Sequence, residues 1–468
     1  MHQKPLLSGK KEVTPANLGE ALQQAIEIEI ATIPVYLYTY YSITRVPDQD
    51  KIISQMTALL LKAGKKPDEA ASIALDCSAE IMVYANKAGA TIMSVAVEEM
   101  LHMALSSNVK QALAGMPELV GKSPVTWPAY LPGHVPEFPI DRAPYSQLQL
   151  MTFLKIESPL PIPKNKLSEL KAIDYTTIGE FYTMIVDCIN SHKLKYNIKA
   201  PQLIPGRGYY ANNSIDTVYY NKQHQPKFTN AGDSGDLIQV VDAKSATKAI
   251  DEIIHQGEGN KDATPLNPDG TVNCAKTTPE DYDDKAGKEL SHFEKFAQLY
   301  CRYGVLQEKF TKLKLGEVSS YFVQNVDTNP MTSDYPAPLQ TVSTLLNAVY
   351  TYIYVMTEEC YRKEGNTQYE IFMFGIHKSM IWILDNLCGT MTGMQYIGKD
   401  GKTYATAPTF EFYAFNPASS PKSQIIALYN QAAGSASLNP NLADRIQSLP
   451  DVALAPYQNS SKGPAQFV

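Results

Sequence analysis

The sequence has no Cys-x-x-Cys pair. Its six cysteines (Cys77, Cys188, Cys274, Cys301, Cys360 and Cys388) are scattered along 468 residues. That spacing argues against a zinc or redox motif and reads as six structural thiols in a reducing compartment. There is no P-loop, no Gly-x-Gly-x-x-Gly fingerprint and no Gly-x-Ser-x-Gly elbow. Nucleotide-dependent and serine-hydrolase chemistry therefore have no support. No Lys/Arg-rich run occurs, and a net charge of −7 is spread over the whole length. No nucleic-acid partner is expected. The apolar stretches are interrupted by polar residues every few positions, so none reads as a membrane span. Residues 1–14 carry lysines but no apolar core, so no secretory leader is expected and the chain is placed in the cytoplasm. Internal repeats and low-complexity tracts are also missing.

What is present is helical periodicity. Hydrophobic residues make up 44% of the chain, enough for a sizeable core. Leu18, Leu22, Ala25, Ile26, Glu29, Ile33 and Leu37 recur at helical spacing and predict a first helix over 16–43, with Pro34 expected to kink or end it. Residues 68–85 and 90–113 predict a second long helix, continuous or broken once, stopped by Gly115 and Pro117. Residues 117–145, rich in proline and aromatics, read as an ordered loop. Further helices are expected over 146–157, 178–193, 245–255, 288–303, 339–361 and 371–387. Residues 200–243 suggest loop with short strands. Residues 260–284 form a long polar excursion, and the segment from 404 is expected to wrap the surface.

The chemistry concentrates in Val95-Ala96-Val97-Glu98-Glu99-Met100-Leu101-His102-Met103. Glu99 and His102 are three apart and share one helical face within an apolar run. Buried there, a carboxylate and an imidazole are costly unless they are paired or bind a metal. Glu-x-x-His is the ligand unit of dimetal carboxylate bundles, which also need a lone Glu from each of two further helices. Glu29 sits on the apolar face of the first helix and is one candidate. Glu98 lies off that face and reads as solvated or as a neighbour of a ligand. Glu180 is another candidate. A carboxylate favoured by the helix N-terminus explains it at least as well. Glu252-Ile253-Ile254-His255 fits Glu-x-x-His literally. The stripe Ala249, Ile250, Ile253 and Ile254 turns His255 outward, however. Glu258, between Gly257 and Gly259, and His292, opening the next helix, are the preferred distal pair.

These residues resemble a known family. Ala25-Ile26-Glu27-Ile28-Glu29-Ile30-Ala31-Thr32-Ile33-Pro34-Val35-Tyr36-Leu37 is similar to the opening signature of the ferritin-like domains found with iminophenyl-pyruvate dimer synthases. That group includes enzymes of violacein- and rebeccamycin-type bis-indole assembly. Val97-Glu98-Glu99-Met100-Leu101-His102 resembles the second signature. Phe153-Leu154-Lys155-Ile156-Glu157-Ser158-Pro159, Ile178-Gly179-Glu180-Phe181-Tyr182, Gln256-Gly257-Glu258-Gly259, Ser291-His292-Phe293 and Ala407-Pro408-Thr409-Phe410-Glu411 follow in the family's order. The chain departs from the pattern at 260–289, a longer and more polar segment that splits the last ligand pair.

The resemblance implies a mostly α fold: a ferritin-like four-helix bundle over 14–310 with an additional C-terminal helical lobe over 311–468. It implies Glu29, Glu99, His102, Glu180, Glu258 and His292 as metal ligands. The cofactor expected is iron, as two ions, with manganese as the alternative. The expected activity is a metal-dependent oxidase or oxygenase. Its partners would be O2 or peroxide and a small organic substrate, amino-acid-derived in specialised metabolism. The alternative is a metal-binding scaffold or partner subunit without turnover. Oligomer formation is left open. The 29 tyrosines offer aromatic walls and hydroxyl donors for such a site.

Overall fold

Side-chain caps set where several of the helices begin. Asp48 accepts from Lys51 N at 3.0 Å, Ser146 from Gln149 N at 3.0 Å and Thr177 from Glu180 N at 3.0 Å. Ser291 and Glu294 cap each other's backbone reciprocally. Each such cap contributes on the order of 1 kcal/mol. The computed structural model describes residues 12–160, 175–205, 235–257, 265–267, 271–277, 290–398 and 400–453.

In chain order the helices are α1 (Leu18–Tyr41), α2 (Gln49–Lys62), α3 (Pro67–Leu113), α4 (Gln147–Ile156), α5 (Ile178–Ser191), α6 (Ala243–Gly257) and α7 (His292–Leu313). After them come α8 (Ala337–Cys360) and α9 (Gly365–Glu370). A π-helical run over Ile371–His377 and Ser379–Leu384 follows, then α10 (Asp385–Thr392). A small antiparallel hairpin pairs β1 (Gln395–Ile397) with β2 (Thr403–Ala405), and α11 (Pro421–Ala433) and α12 (Leu442–Gln447) close the described chain.

The long helices α1 and α3 pack along each other, α4 lies against α7, and α6 packs on α5 and α3. The fold is thus mostly helical, a bundle with extra helices. α1 continues through Pro34, so the helix does not end there. The missing N–H forfeits one hydrogen bond, but α1 is buried around most of its circumference and packing holds it. α3 is one element of 47 residues. Pro67 opens it, and Gly115 turns the chain beyond it with φ +92°.

Other expectations are corrected. α2, α11 and α12 were not anticipated. The helix expected over 371–387 is π-wound for most of its length. The C-terminal helices dock on α3 and the loop after it. Tyr361 donates to Ala104 O at 3.0 Å, and Glu358 accepts from Leu119 N at 2.7 Å and Val120 N at 2.8 Å. One continuous buried core runs through all of these elements.

The reading of six inert thiols also fails. Cys274 and Cys301 form a disulfide, while Cys77, Cys188, Cys360 and Cys388 are free and buried. The pairing could not be read from spacing, because it depends on Cys274 lying against α7. A Leu266–Val272 antiparallel bridge lies shortly before it in the chain. The disulfide removes the cysteine argument for a reducing compartment. No described helix is long and apolar enough to cross a membrane.

Denatured, unreduced protein should titrate four thiols, and six after reduction. Reduction should also lower the calorimetric unfolding midpoint. Closing a loop of 27 residues is worth about 3–4 kcal/mol in the chain-entropy model. Six thiols before reduction would show that the cross-link does not form.

Candidate metal centre

Five acidic and imidazole side chains meet between α1, α3, α4 and α7. The apolar stripe of α1 carries Glu29 inward. On α3, Glu99 and His102 follow one another on the inner face. Glu157 is the residue that ends α4, and His292 is the first residue of α7. All are buried: Glu29 is 3% exposed, Glu99 3%, His102 1%, Glu157 4% and His292 0%.

The two imidazoles lie nearly parallel, with ring centroids 5.2 Å apart and 24° between their planes. Both turn Nδ1 toward Glu99. Glu99 Oε1 is 2.9 Å from His292 Nδ1 and 3.7 Å from His102 Nδ1. Each imidazole also has its own second carboxylate. Glu29 Oε2 is 3.8 Å from His102 Nδ1, and Glu157 Oε2 is 3.6 Å from His292 Nδ1. Glu99, His102 and His292 offer ligand atoms within 4.8 Å of one another.

The outward sides of these groups are held by hydrogen bonds. His102 Nε2 is 2.9 Å from Gln256 Oε1 on α6. His292 Nε2 is 2.8 Å from Glu98 Oε2. The buried ammonium of Lys295 lies 3.0 and 2.9 Å from the two oxygens of Glu98. Tyr182 donates to Glu29, and Tyr36 donates to Glu157. Thr32 donates to Glu99 Oε2 at 2.8 Å. Backbone packs close as well: a Cβ on Gly257 would stand 3.6 Å from Glu157 Oε2.

Electrostatics follow from burial and charge. Desolvation, with the Glu99 charge beside it, pushes the Glu29 carboxyl up to about 8. Burial would raise Glu99 too, but the neighbouring His102 and His292 imidazoles outweigh it and hold Glu99 below the usual carboxylate range. Burial opposes protonation of His102, yet Glu29 and Glu99 raise it to about 10. His292 is likewise raised well above its ordinary value, against burial, by Glu157, Glu98 and Glu99. Without another cation, the cluster thus draws protons onto its imidazoles.

The residues fit a metal. His292 Nδ1 is fully buried and makes no hydrogen bond, although Glu99 Oε1 is within ion-pair distance. If both Nε2–H groups donate outward, both Nδ1 lone pairs converge on Glu99. This donor set of carboxylate oxygens and imidazole nitrogens suits a first-row divalent cation.

The structure therefore brings together Glu29, Glu99, His102 and His292 of the residues singled out from the sequence. Glu180 is not with them. It is exposed at the start of α5, where its carboxylate accepts from Thr176 N at 2.7 Å and Thr176 Oγ1 at 2.6 Å. It serves the helix N-terminus, the alternative already open in the sequence. Glu157 stands in the cluster instead. Its sequence block was noted, but a residue that ends a helix carries no periodic signal. Glu258 lies outside the described residues. His255 is exposed and Ile253 buried, so the literal Glu252/His255 motif faces away from the core. Glu98 is fully buried and supports His292.

A family model described as Ferritin-like matches residues 22–301, more than half of the chain. No curated protein matches. A solved structure, a ferritin like protein from Caulobacter vibrioides, is 17% identical, with 78% of this chain and 95% of that chain covered and a TM-score of 0.38. The matched family region runs from α1 into α7 and takes in every residue of the cluster, so the chain belongs to the ferritin-like family.

Proposed function

We propose that this protein is a non-haem di-iron carboxylate oxidase or oxygenase acting on a small organic substrate. One observation carries the reading. Glu99 Oε1 stands between the Nδ1 atoms of two imidazoles from different helices, and each imidazole has a further carboxylate of its own. That is two half-sites sharing one carboxylate. Glu29, Glu99 and His102 would hold one ion; Glu157, Glu99 and His292 would hold the other. Manganese could occupy the same donors. When bound, a redox-active metal pair supplies electrons to O2 or peroxide that side chains alone cannot supply.

The protein's own residues do the rest. Tyr36 and Tyr182 fix the free carboxylate rotamers by donating to Glu157 and Glu29. Gln256 and Glu98 hold the imidazoles with Nδ1 inward. Phe153, edge-on to Tyr36, and Phe296, tilted against both, pack that side with aromatic rings. The resemblance to dimer-synthase-associated domains makes an amino-acid-derived imine the first substrate to test. The bundle over 14–310 would be the metal-binding unit and the part from 311 an accessory lobe.

A metal-binding scaffold without turnover is the competing reading. It is favoured by how fully the cluster is buried, at 4% exposure or less. Adding Fe2+ to metal-free protein in air separates the two. The enzyme consumes O2 above the buffer blank and holds two ions per chain. A scaffold holds ions with no added O2 uptake. Absence of both would end the di-iron reading.

The ligand assignment has its own test. Glu157→Ala and His102→Ala should each lower iron content by at least one ion per chain, measured by elemental analysis. Their helical circular-dichroism signal should stay near that of the parent. Glu180→Ala should keep full iron content, because that carboxylate is exposed and serves only the start of α5. Loss of metal in Glu180→Ala with retention in Glu157→Ala would reverse the assignment.

A further inference from the structure

The two half-sites are backed by different chemistry. Behind His292 stands a carboxylate: Glu98 Oε2 is 2.8 Å from Nε2. Behind His102 stands a neutral amide: Gln256 Oε1 is 2.9 Å from Nε2. Glu98 is 0% exposed, and Lys295, 1% exposed, supplies the counter-charge that lets a carboxylate reside there. Gln256 is on α6, the helix that also brings the backbone of Gly257 against Glu157. Both imidazoles otherwise meet similar groups, a shared Glu99 and one further glutamate each.

A hydrogen bond from an imidazole N–H to a carboxylate transfers more electron density to the ring than one to an amide. The ring becomes the more basic ligand, and its orientation is held more tightly. From this we infer that the two metal positions are unequal: the His292 position fills first and tightly, and the His102 position fills second and is the exchangeable one. Glu98 and Gln256 are the positioning residues that set this order. The inference rests on the dimetal reading above and goes beyond it by ranking the two positions.

The ranking has a functional corollary. Glu29 and His102 would be the residues that hold the exchangeable position, the one open to substrate or oxidant. The ion at His292 would stay as the anchor.

Anaerobic titration of metal-free, full-length protein with Co2+, followed by absorbance, tests this without turnover. The parent should fill in two steps whose dissociation constants differ at least about tenfold, within the range seen when the partner of a metal-bound histidine is changed. His102→Ala should lose the weaker step and His292→Ala the tighter one. Gln256→Glu, which gives His102 a carboxylate partner, should tighten the weaker step and draw the two together. Glu98→Gln should weaken the tighter step by roughly 10- to 100-fold. Circular dichroism identifies a variant that fails to fold; the two substitutions act on opposite half-sites, so either one alone decides.

Two equal steps in the parent would overturn the ranking while leaving the dimetal reading intact. So would a parent whose weaker step belongs to His292, or constants unmoved by a folded Gln256→Glu. A parent that binds no Co2+ would overturn the dimetal reading itself.

Discussion

Burying like charges together is the constraint on which this molecule is organised. Glu29, Glu98, Glu99 and Glu157 are all within a few per cent of full burial. Taking each ion out of water costs on the order of several kcal/mol. Lys295 lies against Glu98. The remaining carboxylates have the two imidazoles and nothing else cationic within ion-pair distance among the described residues. Proton uptake by those imidazoles and by Glu29, whose carboxyl burial pushes up to about 8, or metal binding, must balance the charge. Hydroxyl donors from Thr32, Tyr36 and Tyr182 reduce the penalty but bring no charge.

That demand explains the architecture around the cluster. The carboxylates can be held apart, and still share a cation, only if they come from separate rigid elements. α1 and α3 provide two long walls. The opposite ligands come from helix ends: α4 contributes its C-terminal end and α7 its first residue. Caps matter more there than in mid-helix, since a frayed turn would move a ligand. The reciprocal cap of Ser291 and Glu294 stands immediately before and shortly after His292, so the start of α7 is secured where the ligand is.

Much of this was legible in the sequence, for identifiable reasons. Glu99, His102 and Glu29 were readable because a charged residue on an apolar helical face is conspicuous. His292 was found by excluding His255, whose place opposite the stripe Ala249, Ile250 and Ile253 pointed it to solvent. Glu157 was not singled out, because periodicity speaks for residues inside helices and says little about those that end them. Glu180 entered the ligand set through the resemblance, while its own position at the start of a helix fitted a terminal carboxylate at least as well. The disulfide and α2 depended on tertiary contacts that no local pattern reports. The π-wound stretch has ordinary helical composition and differs only in its hydrogen bonding.

The unbroken length of α3 has a consequence for how this sequence can change. At 1.5 Å per residue, its 47 residues extend about 70 Å. Each residue added or removed turns everything beyond it by about 100°. Upstream, α3 is committed through Cys77, Ile81 and Tyr84, all fully or almost fully buried. Downstream it is committed through Glu99 and His102. A single-residue insertion between those stretches would swing one set outward while the other stayed fixed. Substitution is open to this helix, but length change between 85 and 98 is not, unless it comes in steps near seven residues that restore the facing. Natural variation in chain length should therefore collect in the excursions between helices and leave the rod's register untouched.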